Sequence, residues 1–365
     1  MSRTFRMTAL VLAAFCALAG FAVAQDQPGQ FQGTVNVNEV LLDVLVTDSQ
    51  GNVIVGLGPD DFVVTENGRR VDLSGITFYS NRRLLESSPA LAKQGASVEQ
   101  GTEDRYFILL FDDMRHAAQE APRLLSQQME AAKRAKGWVQ SELLPNDWVA
   151  VMSWDARLKV QQDFTNDRKA LVQAIDDAIK GKHLEGNYPS RIDTSKGPSL
   201  LAGLPTGRAL SKETSTLYEA MQVLAKAGGS IRARKNLLIF SYGLPGRTDA
   251  FGQFTPDKRF FEPTVQVMND NNVAAYMIDL TPPDTEHTLS DSLNKMAVDT
   301  GGRYFFNVTN YSTALDQITQ ENNGYYLLSY STERPAGKTG FQRVEVKTVN
   351  PEFRVKTRQG YTYGS

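Results

Sequence analysis

The sequence predicts an α/β protein, with a doubly wound, mostly parallel sheet flanked by β segments at both ends of the chain. Between residues 105 and 322, apolar runs alternate with segments of helical periodicity, as in strands joined by crossover helices. Residues 34–80 and 323–365 instead show strand-like runs separated by turn residues. At 365 residues, the chain is long enough for more than one hydrophobic core.

The first 24 residues predict an export signal. Arg3 and Arg6 give a positive start, residues 8–24 form an apolar run, and Ala22-Val23-Ala24 is typical of a cleavage site. An uncleaved membrane anchor is the alternative, but the run is short for a span. We therefore expect an exported protein, periplasmic or extracellular, with no stable membrane insertion after cleavage.

Cys16 is the only cysteine in the sequence. It raises the alternative of a lipid-tethered protein, although Phe15 stands where such a motif requires a small residue. After signal cleavage, neither a disulfide nor a cysteine-ligated metal is expected. The formal net charge of -2 gives no reason to expect nucleic acid as a partner.

After a linker at residues 25–33, residues 34–80 predict an all-β segment. A strand at residues 40–46 is followed by a turn, and Asn67-Gly68 predicts a hairpin between the two later strands. The aspartates in these turns suggest a calcium loop as an alternative, but turn chemistry accounts for them. Residues 81–104 are polar and are predicted to be a linker.

Residues 105–322 predict the α/β domain. The strands are expected at residues 106–111, 148–154, 158–164, 236–242, 273–279 and 303–306. The helices are expected at residues 125–143, 167–179, 216–227, 258–271, 289–300 and 312–320. Residues 181–212, rich in Gly, Pro and Ser, predict a long loop insertion that is either functional or disordered.

Residues 323–365 predict a second β segment, with strands at 325–330, 341–349 and 353–357. Each of the two β segments is short. We expect that together they form one β-sandwich, with the α/β domain inserted between them.

Familiar catalytic motifs are missing from the sequence. None of the three histidines has metal-ligand spacing to another, and no Gly-x-Ser-x-Gly elbow, phosphate loop or dinucleotide fingerprint occurs. We therefore expect a protein that is not an enzyme.

Asp112 and Asp113 end the first strand of the α/β domain, at the sheet edge where such folds bind ligands. A hard cation there needs several oxygen ligands. The loop before Thr216 and the strand end at Ser241-Tyr242-Gly243 should lie at the same edge. Alternatively, Asp112 caps the following helix.

This arrangement resembles a von Willebrand factor type A (vWA) domain and its metal-ion-dependent adhesion site. Asp112 falls on the first aspartate of that motif, Thr216 on its loop threonine and Gly243 on its turn glycine. The resemblance implies Mg²⁺ or another divalent cation held by Asp112 and Thr216.

Three positions depart from the motif, which makes the site degenerate. Met114 and His116 replace its two serines, and Tyr242 replaces its second aspartate. Asp113 and Ser241 are the candidate substitutes.

The resemblance is closer to one subgroup of the family, exported vWA-related proteins described from acidobacteria. The similarity rests on short motifs spread over most of the mature chain: Leu57-Gly58-Pro59-Asp60-Asp61-Phe62, Glu66-Asn67-Gly68, Phe111-Asp112-Asp113, Gly324 to Tyr330, and Arg358-Gln359-Gly360-Tyr361. It implies a secreted binding or adhesion module for an unidentified protein ligand.

Two other functions stay open from the sequence. One is a metal-independent interaction scaffold with a vestigial site, whose leading contact would be the loop at residues 181–212. The other is a hydrolase that uses Asp112 and Asp113 as an acid/base or nucleophile pair.

Overall fold

The computed structural model describes residues 35–80, 104–113, 122–182, 197–248, 254–285, 289–335 and 339–364. The predicted export signal, the linker at residues 25–33 and residues 81–103 of the second linker lie outside these ranges. So do Met114, His116 and residues 183–196 of the predicted loop.

Strands and helices within the described residues follow the predicted order. The strands are β1 (Val35–Thr47), β2 (Phe62–Glu66), β3 (Arg69–Val71), β4 (Gly75–Ser80), β5 (Arg105–Asp112), β6 (Asp147–Trp154), β7 (Leu158–Thr165), β8 (Lys235–Ser241), β9 (Gly246–Thr248), β10 (Phe254–Pro256), β11 (Val273–Asp279), β12 (Arg303–Phe305), β13 (Gly324–Pro335), β14 (Gly340–Thr348), β15 (Arg354–Lys356) and β16 (Gly360–Tyr363). The helices are α1 (Pro122–Ser141), α2 (Arg168–Ile179), α3 (Gly207–Glu213), α4 (Leu217–Ala227), α5 (Lys258–Asp270), α6 (Ser290–Asp299) and α7 (Tyr311–Glu321).

A six-stranded sheet forms the centre of the α/β domain. Its strand order is β12-β11-β8-β5-β6-β7, and every neighbouring pair is parallel except β6 and β7. This is the doubly wound order, in which the chain starts in the middle of the sheet and extends it first to one side and then to the other. The predicted fold class is confirmed.

Helices cover both faces of this sheet, which explains why its central strands are continuous apolar runs. Helices α1, α2 and α7 pack on one face, and α4, α5 and α6 pack on the other. Side chains that alternate along β5 enter the two cores in turn: Phe107 and Leu109 on one face, Ile108 and Leu110 on the other. All four are fully buried, as expected for a strand covered on both sides.

The two β segments pair with each other. One sheet has the order β15-β1-β13-β4 and the other β16-β14-β2-β3, so each contains strands from both ends of the chain. The long pairing of β1 with β13 runs from Val35 opposite Pro335 to Val44 opposite Tyr326. Apolar side chains from both sheets share one core, which includes Leu42, Phe62, Tyr326 and Val346. The α/β domain is inserted between the two halves of this β unit.

Polar contacts join the β unit to the end of the central sheet where the parallel strands begin. Asn272, just before β11, donates a hydrogen bond to the Asp43 carboxylate on β1. Arg358 donates to the main-chain oxygens of Asn269 at 2.9 Å and Leu41 at 2.7 Å. The other end of the sheet, where the parallel strands finish, is therefore turned away from these contacts.

Helix α3 is the main difference from the predicted elements. It occupies the last part of the segment predicted as a loop at residues 181–212. The helix has only seven residues, and Leu210 is its one buried side chain. So short an element leaves no periodic pattern that a sequence can reveal.

Candidate functional site

Three polar side chains meet where the central strands end. Strand β5 ends at Asp112, β8 at Ser241 and β11 at Asp279. Phe111 lies opposite Phe240 and Ser241 lies opposite Asp279, which brings the three strand ends side by side. We call these residues the carboxyl-edge cluster. All three are at most 3% exposed.

Asp112 and Ser241 are joined directly. The Ser241 hydroxyl donates a hydrogen bond to Oδ2 of Asp112 at 2.7 Å and accepts one from the Gly243 amide at 3.2 Å. A serine hydroxyl has a single hydrogen, and two acceptors lie within its reach: Oδ2 of Asp112 at 2.7 Å and the main-chain oxygen of Gly243 at 3.1 Å. The carboxylate is the nearer and stronger acceptor, so we assign the hydrogen to Asp112. Gln128 on α1 donates to the main-chain oxygen of Asp112. The structure thus brings together two residues that the sequence placed at this edge.

Asp113 follows directly and is also buried, with 3% of its surface exposed. Its amide donates to the main-chain oxygen of Trp154 at 2.9 Å, which extends the β5–β6 pairing by one residue. Residues 114–121 lie outside the described residues and α1 begins at Pro122. The alternative role of Asp112 as a helix cap therefore stays a prediction.

Thr216 begins helix α4 and forms a capping box with Glu219. Its hydroxyl accepts a hydrogen bond from the Glu219 amide at 3.1 Å and lies 3.0 Å from Oε2 of Glu219, to which it donates. The Thr216 amide donates to the same carboxylate oxygen at 2.9 Å. Of the two oxygen lone pairs of the hydroxyl, this arrangement leaves one for a further partner.

The same hydrogen bonds affect the charge of Glu219. Burial acts to raise the pKa of this carboxyl, but hydrogen bonds from Ser215 and Thr216 outweigh it and bring the pKa below its ordinary value. The side chain therefore remains an anion that accepts hydrogen bonds at the start of the helix, where negative charge is favourable.

Asp279 is a member of the cluster that sequence reasoning missed. Its carboxylate accepts hydrogen bonds from the Thr281 amide at 2.8 Å and from the Tyr304 hydroxyl at 2.7 Å. Burial raises the pKa of Tyr304, and the bond to Asp279 raises it further, so this phenol stays protonated and donates. The signal was available, because residues 273–279 are an apolar run that stops at a carboxylate, as residues 105–112 are.

The types of oxygen at this edge suit a hard divalent cation. Asp112, Asp113 and Asp279 supply carboxylates, and Ser241 and Thr216 supply hydroxyls, which are the ligands that Mg²⁺ and Ca²⁺ prefer. Thr216 makes its side-chain hydrogen bonds within the capping box rather than to Asp112. In the part of the chain that the structure describes, no three His, Cys, Asp or Glu side chains are grouped as a metal site.

None of the described helices combines the length and the apolar character needed to cross a membrane.

Comparison with known proteins gives similarity to solved structures only. No family model matches the chain, and no curated protein matches it. A von Willebrand factor type A structure from Catenulispora acidiphila is 8% identical, covers 90% of this chain and 72% of its own, and has a TM-score of 0.37. An aerotolerance-related membrane protein from Bacteroides fragilis is 10% identical over 59% of this chain and 98% of its own, with a TM-score of 0.37.

A third similar structure is proximal thread matrix protein 1 from the mussel byssus, solved with a zinc-occupied MIDAS motif. It is 13% identical over 60% of this chain and 47% of its own, with a TM-score of 0.34. These likenesses concern the fold alone. The doubly wound α/β fold predicted from the sequence is confirmed by the strand order of the central sheet.

Proposed function

We propose that this chain is an exported binding module of the vWA type, whose protein partner docks at the carboxyl edge of the central sheet. The observation that supports this most is the hydrogen bond between Ser241 and Asp112. It holds a carboxylate and a hydroxyl in fixed positions at the edge where open α/β sheets bind their ligands. Oxygen groups held in this way suit recognition, and we propose no reaction for them.

A divalent cation is the second part of the proposal. Asp112 and Thr216 would hold it, with Asp113 or Ser241 in place of the serines that the family motif has. When bound, the cation would attract a carboxylate of the partner. The support is the set of oxygen donors, together with the lone pair that the capping box leaves on Thr216.

Thermal unfolding with and without metal tests the cation directly. We expect MgCl2 or MnCl2 to raise the melting temperature of the mature protein relative to EDTA. A ligand at a hundred times its Kd stabilises a fold by about 2.7 kcal/mol, which is a shift of several degrees for a chain of this size. Asp112→Asn should remove the rise, because it replaces the charged ligand with a neutral one of the same shape.

Asp163→Asn is the matched control. Asp163 lies on the outer strand β7 and is also a buried carboxylate, 2% exposed. It accepts hydrogen bonds from the Ser199 hydroxyl and the Leu200 amide. The substitution should lower the melting temperature in EDTA and leave the response to metal intact. A wild-type melting temperature that does not change between metal and EDTA would rule out the cation.

A metal-independent scaffold is the second candidate function. It is favoured by the loss of oxygen ligands from the family motif, in which Met114 and His116 replace the two serines and Tyr242 replaces the second aspartate. In that case the segment at residues 181–212 is the leading contact for the partner.

A further inference from the structure

A second candidate site lies at the junction between the α/β domain and the β unit. It is a cavity of 520 Å³ formed by helices α5 and α6, the start of β14 and the residue before β16. Its volume is within the range of roughly 300–1,000 Å³ that is typical of small-molecule sites. None of its lining residues belongs to the carboxyl-edge cluster, so binding in this cavity is independent of the function proposed for that cluster.

Asn269 supplies the most specific group in this cavity. Its side chain is 1% exposed, and its Nδ2 donates to the main-chain oxygen of Asp299 at 3.1 Å. That carbonyl can only accept, which fixes the orientation of the amide and directs Oδ1 elsewhere. No donor among the described residues reaches this Oδ1. A buried acceptor without a partner is costly, so a donor from outside the protein is expected there.

Apolar walls stand beside this acceptor. Phe261 is almost completely buried, Val265 is half-buried, and the Phe341 side chain is 48% exposed. An aromatic ring left this open at a cavity offers a flat apolar surface to whatever enters. The walls therefore favour a ligand with an apolar face of its own.

Charged side chains around the cavity balance one another. Glu262 and Asp299 are acidic, and Lys295 and Arg343 are basic. Lys295 is paired with Asp299 and also lies over the Phe261 ring, 5.3 Å from its centroid. A lining without net charge gives no preference for an anion or a cation.

Amides complete the polar lining. Gln359 presents one carbonyl oxygen and one NH2 group. Gln266 donates one NH2 hydrogen to the Thr362 hydroxyl at 2.7 Å and keeps its carbonyl oxygen and its second N–H. Both can therefore donate and accept. We propose that this cavity binds a neutral saccharide. Its hydroxyls would donate to Oδ1 of Asn269 and exchange hydrogen bonds with the glutamines. Its C–H face would pack on Phe341.

Calorimetric titration of the mature protein with single neutral sugars tests this proposal. The probes are glucose, galactose, mannose, N-acetylglucosamine, maltose and cellobiose, each at millimolar concentration. We expect at least one of them to bind. Phe341→Ala should weaken that binding by about tenfold or more, since it removes the aromatic surface. Asn269→Leu should weaken it as well, since it removes the buried acceptor.

Phe306→Ala is the matched control, because Phe306 is an equally large exposed aromatic side chain, 63% exposed, outside the cavity. It should leave sugar binding unchanged. If Asn269→Leu does not fold, the exposed position 341 still decides the question. The proposal fails if none of the sugars binds, if Phe341→Ala binds as well as the wild type, or if inorganic phosphate binds and the sugars do not.

Discussion

At the scale of single residues, the carboxyl edge shows how a short polar side chain can stabilise a buried carboxylate by donating a hydrogen bond to it. Ser241 ends an apolar strand and would be unremarkable in isolation. In the sheet it lies beside Asp112, and their 2.7 Å hydrogen bond is made where neither residue is more than 3% exposed. Hydrogen bonds to a charged partner contribute more to stability than neutral ones, and burial strengthens them further.

Ser241→Ala should therefore lower the free energy of unfolding by about 1.5–3 kcal/mol. The alanine removes the donor and leaves the Asp112 carboxylate with one hydrogen bond fewer in a buried position. Chemical denaturation in EDTA measures the loss. The control is Ser153→Ala on β6, which is equally buried but accepts from the neutral amide of Gln161 at 3.1 Å. Equal losses of free energy in the two variants would contradict the prediction that the hydrogen bond to the Asp112 carboxylate contributes more to stability than the neutral one.

The site could be predicted from the sequence as far as it depends on strand ends. Asp112 and Ser241 close apolar runs, and parallel strands bring their ends to one edge. Asp279 follows the same rule but was missed, because the family motif points to loops rather than to every strand end. The hydrogen bond from Tyr304 to Asp279 could not be predicted. The two residues are 25 positions apart on two strands, and the bond depends on how those strands are aligned in the sheet.

At the scale of elements, capping side chains fix where helices α2 and α4 begin. Asp167 caps α2, at the start of the helix predicted for residues 167–179, with its carboxylate accepting from the Lys169 and Ala170 amides. Thr216 and Glu219 have the spacing of a capping box, and the structure forms one. Thr216 thus has a structural role that does not depend on any cation.

Thr216→Ala should lower the free energy of unfolding by about 1 kcal/mol, because it leaves the Glu219 amide at the start of α4 without its partner. The measurement is made in EDTA, so that a loss cannot come from metal binding. Thr206→Ala is the control, since Thr206 precedes α3 in the same way but makes no side-chain capping bond. The assigned role is wrong if the two substitutions cost the same, or if Thr216→Ser fails to restore stability.

Pairing between distant strands is the part of the fold that local patterns leave open. The runs that become β1 and β13 each predict a strand, but nothing within either run specifies that Val44 lies opposite Tyr326. The register follows from burying both runs in one core, which depends on the whole chain. Strand β16 was missed for a related reason, since four residues are too few to show alternation.

At the scale of the whole molecule, buried charges lie where the β unit meets the α/β domain. Lys235 begins β8 and is 1% exposed, and its ammonium group donates to the main-chain oxygen of Ile231 at 2.5 Å. Asp43 on β1 attracts it, whereas Arg358 repels it. Burial raises the pKa of Asp43, despite the hydrogen bond from Asn272. Burial at this junction therefore disfavours the charged forms of both Lys235 and Asp43.

Stability should accordingly rise with pH above about 8. Burial lowers the pKa of Lys235 to about 8, below the ordinary lysine value of 10.5. Between these values the unfolded chain binds more protons than the folded one, so raising the pH favours folding, by on the order of 1–3 kcal/mol. The lowered pKa of Lys356 acts in the same direction.

The sign reverses above about pH 10, where tyrosines ionise in the unfolded chain. Burial raises the pKa of Tyr326 to about 12 and that of Tyr276 above its ordinary value, so the folded protein keeps protons that the unfolded chain has lost.

The decisive window for the buried lysine is therefore pH 8–10. Urea denaturation across that window should show a rising free energy of unfolding in the wild type. Lys235→Met should flatten the rise, while Lys226→Met, at an exposed position on α4, should not. A wild-type free energy of unfolding that falls with pH in this window would mean that the pKa of Lys235 is not lowered in the folded protein. A rise that persists in Lys235→Met would mean that another group causes it.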